Sequence, residues 1–130
     1  MKMNKKLPEI VKSAWENKKA EVVFTTVSED SISNSIYATC TSLFDGNKII
    51  VANNFFDKTM KNILSGSKGS ILFITKDEKP KAYQIKGSIE YMTEGEAFEN
   101  MKEWNPKQLP GHGAAVITAE EIYSGAEKLQ

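Results

Sequence analysis

DGNKIIVANNFFDKTMKNI, residues 45–63, runs from a tight turn through a buried strand to the start of a helix. Asp45-Gly46-Asn47 carries turn chemistry, because Gly accepts positive φ and Asp or Asn bonds its own backbone. Ile49, Ile50, Val51 and Ala52 form a short apolar run rich in β-branched residues, which suits a strand buried on both faces. Beyond the paired amides and phenylalanines of residues 53–56, Thr59 to Leu64 has helical spacing, with Met60, Ile63 and Leu64 on one side. Lys58 and Thr59 therefore stand at a helix start, beside backbone N–H groups that lack intrahelical partners. That is a candidate anion socket. The same residues also fit a plainer reading, with Asp57 capping the helix, Lys58 a solvated charge and Thr59 a first-turn hydroxyl. Pattern alone leaves both open.

Working outward, Pro8 to Lys19 predicts a helix, with Ile10, Val11, Ala14 and Trp15 on one stripe. Glu21 to Val27 predicts a strand and Ser28-Glu29-Asp30-Ser31 a polar turn. Ser33 to Phe44 predicts one further strand. Ser70 to Thr75 is a continuous apolar strand. Lys81 to Met92 alternates, with Tyr83, Ile85, Gly87, Ile89 and Tyr91 on one face. Gly87 within that strand indicates a bulge or a close approach by another group. Thr93-Glu94-Gly95-Glu96 reads as a capping box opening a helix through Trp104, and Ala114 to Tyr123 as the last strand. Lys-Gly-Ser occurs at Lys68 and again at Lys86, in different flanks, and reads as coincidence. The pattern predicts a mainly β fold: a six-stranded, mostly antiparallel sheet curled into a small barrel, with a few short α-helices.

At 130 residues the expectation is a single domain spanning 1–130. Seventeen basic and seventeen acidic residues cancel, which gives no electrostatic case for nucleic acid. Lys2, Lys5 and Lys6 read as a solvated terminus. No apolar run has the length of a membrane span, and the first residues lead to Pro8 rather than to an apolar signal region. One cysteine, Cys40, excludes an internal disulfide and fits a reducing cytoplasm; on its strand it reads as a small buried hydrophobe. His112, the one histidine, leaves no His/Cys cluster for zinc. All seventeen basic residues are lysine, so any phosphate would be held by ammonium groups, hydroxyls and backbone amides, without a guanidinium fork.

The order and spacing of Asp45-Gly46-Asn47-Lys48, the apolar strand, Lys58-Thr59 and Gln84-Ile85-Lys86-Gly87-Ser88 resemble the FMN-binding split-barrel superfamily. That group includes pyridoxamine 5′-phosphate oxidase, and the likeness is to the small FMN-binding proteins of anaerobic bacteria. It implies a six-stranded split barrel that forms a homodimer, with FMN in a groove at the subunit interface. By position, Lys58 and Thr59 would grip the FMN phosphate, and Asn53, Asn54, Phe56 and Asp57 would form the surrounding loop. Tyr37, Ala38 and Thr39 would lie along the isoalloxazine ring, Lys86 would supply a further basic group, and Trp104 with the loop after it would reach the flavin of the other subunit. The oxidase proper relies on arginines that this chain lacks, so pyridoxamine phosphate oxidation is not expected.

The resemblance therefore implies an FMN-dependent oxidoreductase of the cytoplasm, passing electrons to a small molecule or a protein partner, with no membrane or nucleic-acid role. The alternative is a non-enzymatic binding module for flavin, deazaflavin or haem, used in storage or sensing, with His112 the one imidazole open to haem. Tyr37, Phe55, Phe56 and Trp104 could also line an aromatic pocket for nitro compounds, although such residues usually fill cores or interfaces.

Overall fold

The structure, a computed structural model, describes residues 6–130; Lys2 and Lys5 of the expected basic terminus lie outside them. In chain order the elements are α1 (Glu9–Glu16), β1 (Val22–Val27), β2 (Ser33–Ala38), β3 (Thr41–Phe44), β4 (Lys48–Asn53), α2 (Lys58–Leu64), β5 (Gly69–Ile74), β6 (Ala82–Met92), α3 (Glu96–Trp104), β7 (Gly113–Ser124) and β8 (Glu127–Lys128). The strands form one antiparallel sheet in the order β2-β1-β5-β6-β7-β4-β3, with β8 folded back on β7.

The expected strand from Ser33 to Phe44 is in fact two. It breaks at Thr39-Cys40: β2 pairs with β1, whereas β3 pairs with β4 at the far edge of the sheet. No single straight strand can bond to neighbours at opposite edges. Two consecutive strands thus form the two edges, which brings the sheet round on itself with a seam where the chain crosses. This break and the two-residue β8 raise the expected six strands to eight among the described residues.

Alternation explains how the curled sheet is filled. Ile49 and Val51 point inward to join Val22, Phe24, Ile71, Ile85 and Ile117 in one buried cluster, while Ile50 and Ala52 point outward under α3 with Ala97, Met101 and Val116. Strand β4 is therefore buried on both faces, as its unbroken apolar run predicts. Helix α1 closes onto the inner cluster through Trp15, whose ring meets Phe73 edge-on at 5.1 Å. It stops at Glu16, short of the expected Lys19. The chain is drawn there into a bridge from Lys18 to Thr75 and a bond from the Lys19 N–H to the Ile74 carbonyl.

The DGN turn has Asp45 and Gly46 both at positive φ, which matches the right-handed twist of the β3–β4 hairpin. The capping box does not form. Gly95 occupies the cap at φ 94° without a side-chain cap bond, and Glu96 is the first helical residue; Thr93 is two positions too early to reach the helix amides. The two Lys-Gly-Ser triplets acquire a relation that their flanks concealed: Gly69 lies directly opposite Gly87. Beside them the β6–β7 register shifts between Lys86 and Gly87, leaving Glu120 as the extra residue of a bulge on β7. No helix among the described residues is long and apolar enough to cross a membrane.

Candidate functional site

The seam is where the candidate residues gather. A groove of about 330 Å³ runs along the free edge of β2 and its crossing to β3, lined there by Ile36, Tyr37, Ala38, Thr39 and Cys40. Ala52, Asn54, Phe55 and Phe56 line it from the end of β4 and the following loop, and Leu109 from the α3–β7 loop. An edge strand leaves alternate backbone N–H and C=O groups unpaired, so this groove offers hydrogen bonds as well as apolar walls. Tyr37 and Phe55 are large rings left 78% and 79% exposed beside it.

The loop between β4 and α2 is shaped by its own amides. Asn53 accepts the Phe56 N–H at 2.9 Å and donates to the Tyr91 hydroxyl at 2.8 Å. That turn sends the Phe56 ring toward Phe24 in the core, at 6.0 Å between centroids, and leaves Phe55 outside. The Asn53 side chain is thus spent on the scaffold. Asn54 is also bonded internally, to Asn105 and Gly111, while lining the groove.

Helix α2 begins at Lys58, with the N–H groups of Lys58, Thr59 and Met60 ahead of its first intrahelical bond, Lys61 N–H to the Asp57 carbonyl. Asp57 holds the cap position, but its carboxylate makes no cap bond. The plainer reading of Asp57 as a capping side chain therefore fails. The Lys58 ammonium is exposed, and no acidic group among the described residues pairs with it. Thr59 is 1% exposed, and its hydroxyl accepts a bond from Asn34 of β2 at 3.2 Å. Asn62 donates to Thr26 of β1 at 3.0 Å, so α2 is tied to both strands beside the groove.

Of the expected residues, Tyr37, Ala38, Thr39, Asn54 and Phe56 line the groove. Asn53, Asp57, Lys58 and Thr59 belong to the same loop and the helix start that follows it, and Lys86 and Trp104 stand on other elements. Lys86 is exposed on the outer face of β6, its ammonium 5.1 Å from the centre of the Tyr123 ring. The Tyr123 hydroxyl donates to Glu121, which holds that carboxyl below its usual range and the phenol above its own. Trp104 packs in the outer cluster under α3 and donates from its indole to Asn100 at 2.8 Å. His112 is exposed in the α3–β7 loop, its backbone N–H bonded to the Asn53 carbonyl.

Sequence reasoning missed Asn34, Ile36 and Asn105, and it placed the loop after Trp104 at the other subunit's flavin, whereas Leu109 of that loop lines the groove of its own chain. Leu109 carried a signal, being an apolar residue in a polar loop; the two asparagines carried none. Cys40 was expected buried, and is half-buried in the groove wall. A second concavity, lined by Val23, Tyr37, Thr39 and Leu72 among others, continues from the groove over the outer sheet. Tyr37, Val23 and Leu72 form one cross-strand row there.

The family model described as pyridoxamine 5′-phosphate oxidase matches residues 8–125. Among curated proteins, an uncharacterized protein of Methanocaldococcus jannaschii is 35% identical over 125 residues, covering 92% of this chain and 80% of its own length. Among solved structures, HupZ of Group A Streptococcus superposes with a TM-score of 0.77 at 24% identity, over 91% of this chain and 93% of its own. An FMN-binding protein from Syntrophomonas wolfei gives 0.76 at 20% identity, over 94% and 87%. At these identities the structural likeness speaks for the fold alone.

Proposed function

Since the chain belongs to the pyridoxamine 5′-phosphate oxidase family, we propose that it binds FMN in the seam groove and works as a redox flavoprotein of the cytoplasm, passing electrons to a small molecule or a protein partner. The observation that carries this reading is that the β4–α2 loop, which lines the groove with Asn54, Phe55 and Phe56, leads directly into the start of α2. An apolar groove beside an unpaired strand edge suits a flat ring with polar margins. At that helix start, an exposed ammonium with no acidic partner among the described residues, together with the Thr59 hydroxyl, suits a phosphate.

In this reading Lys58, Thr59 and the leading amides of α2 hold the dianion. Helix α2 has seven residues, so its macrodipole is small and the ammonium carries most of the attraction. Ile36, Ala38 and Leu109 supply the apolar contact, and the β2 edge with Thr39 meets the polar margin of the ring. Bound FMN would supply the electron chemistry; the protein's part is to orient the ring and shield one side from water. Pyridoxamine phosphate oxidation is not part of the proposal, because the chain has no arginine to orient a second phosphate.

The decisive measurement is the absorbance spectrum of the purified protein, with mass identification of whatever heat releases. Flavin bands and the mass of FMN are expected. A Soret band would transfer the groove to haem, with His112 as the imidazole to test. Colourless protein that takes up no FMN at micromolar concentration would end the flavin reading.

One observation favours a binding module without turnover: among the described residues, the titratable side chains lining the groove are Tyr37 and Cys40, which form no acid–base pair there. Reducing the bound flavin with a nicotinamide donor and offering an artificial acceptor separates the two. Turnover supports the redox protein; reduction without turnover supports the module.

The proposal includes a two-fold dimer. The row Tyr37–Val23–Leu72, with Phe55 beside the groove, leaves large apolar groups exposed, and a self-complementary interface would bury them. Lys86, exposed and apart from the groove of its own chain, and the exposed part of Trp104 would then be the groups to complete that of a second copy. Sedimentation at micromolar concentration should give twice the chain mass, and Leu72→Glu should yield monomers. A wild-type monomer would remove the two-subunit groove.

A further inference from the structure

Asn54 and Asn105, 51 positions apart, exchange a pair of hydrogen bonds. The Asn54 amide donates to Asn105 Oδ1 at 3.0 Å, and the Asn105 amide donates back to Asn54 Oδ1 at 2.9 Å. The same Asn54 oxygen accepts the Gly111 N–H at 2.9 Å. The two side chains are 8% and 4% exposed, so neither could lose its partner to water at little cost. Gly111 is held at φ +51°, where a Cβ would stand 3.0 Å from the Asn105 amide nitrogen. The room a side chain needs there is taken by the Asn105 amide and the Lys102 ammonium.

What the pair anchors is the loop that closes the groove. Asn105 ends α3, and residues 106–112 lead to β7. The loop turns on a bond from the Leu109 N–H to the Pro106 carbonyl, and the Lys102 ammonium reaches the Pro110 and Gly111 carbonyls at 3.3 Å. Leu109 is the one residue of this loop that lines the groove, and Asn54 lines it too. A reciprocal amide pair fixes both distance and orientation, where apolar packing alone would let the loop slide.

We infer that Asn105 is a positioning residue for ring recognition: through Asn54 it holds the α3–β7 loop so that Leu109 forms an apolar wall against the flat ring of the cofactor. The inference rests on the flavin reading for its ligand, but the placement of the loop can be tested without one. Cys40 lines the same groove and is the only thiol in the chain. Its reaction rate with an aromatic disulfide reagent therefore reports how open the groove is.

In ligand-free Asn105→Ala that rate should rise about tenfold while the melting curve stays cooperative. FMN and riboflavin should weaken together, each by about five- to tenfold, with faster dissociation. Leu109→Ala should weaken both flavins by a similar factor while the Gly111 amide keeps its protection from hydrogen exchange. Unchanged thiol rate and unchanged flavin affinity in Asn105→Ala would overturn the inference. If that variant does not fold, Leu109→Ala decides: unaltered flavin affinity removes the wall. A loss confined to FMN would shift the effect to the phosphate end and also overturn it. Wild-type protein that binds no flavin would sink the proposed function, while the thiol rates would still judge the loop.

Discussion

Replacing Gly87 by alanine is expected to destabilise the protein by about 3–5 kcal/mol, at and beyond the usual upper limit for overpacking because the clash is with backbone. Strand propensity alone argues the other way, because Gly within a strand is worse than Ala by roughly 0.5–1 kcal/mol. Sterics win on magnitude. A Cβ at Gly87 would stand 1.6 Å from the Thr118 carbonyl oxygen and 2.8 Å from its carbon. Those are backbone atoms of the paired strand and cannot swing aside as a side chain would. The bulge at Glu120 lies beside this approach on β7, and Gly69 stands opposite Gly87 on β5. Thermal unfolding should show a drop of about 10–20 °C for a chain of this length. Glu90→Ala, an exposed position on the same strand, should stay within about 0.5 kcal/mol of wild type. Equal melting temperatures for Gly87→Ala and wild type would mean that β7 does not approach as described.

Lys58→Ala should weaken FMN by about one to two powers of ten, or roughly 1.5–3 kcal/mol, the range for losing a charge-assisted hydrogen bond. Riboflavin, which lacks the phosphate, should bind the variant within about twofold of wild type. The comparison separates a local electrostatic effect from a damaged groove. Stability should barely change, because the ammonium is exposed and no acidic group among the described residues pairs with it. The wild-type preference for FMN should also shrink as salt rises from 0.05 to about 0.5 M, since an exposed charge is screened. With no arginine in the chain, no guanidinium is at hand to take over. Unaltered FMN affinity in Lys58→Ala would place the phosphate elsewhere.

These two tests probe features that differed in how far they could be read from sequence. The DGN turn, the two-faced burial of Ile49 to Ala52 and the alternation from Tyr83 to Tyr91 are local patterns, and each is present in the fold. The Gly87 approach was also signalled, as a residue without Cβ inside a strand. The capping box failed because Thr93 and Glu96 have the right spacing but the wrong phase against the helix start. The continuous strand from Ser33 to Phe44 failed because nothing in its composition marks Thr39-Cys40 as the point of departure to another edge.

For the site, Tyr37, Ala38, Thr39, Asn54 and Phe56 meet in one groove, whereas Lys86 and Trp104 lie on other elements of the chain. Asn105 and Asn34 could not have been found. A polar side chain acquires its role from the partner that long-range pairing delivers, and Asn105 meets Asn54 only because α3 lies across β4.

The amino-acid order by itself determined the DGN turn, the burial of β4 on both faces, the alternation of β6 and the lysine-only basic chemistry, because those depend on neighbours one to four residues away or on composition. The seam, the bulge and the amide pair were decided only when the sheet curled. Each depends on atoms brought together across dozens of residues, and local periodicity carries no term for that.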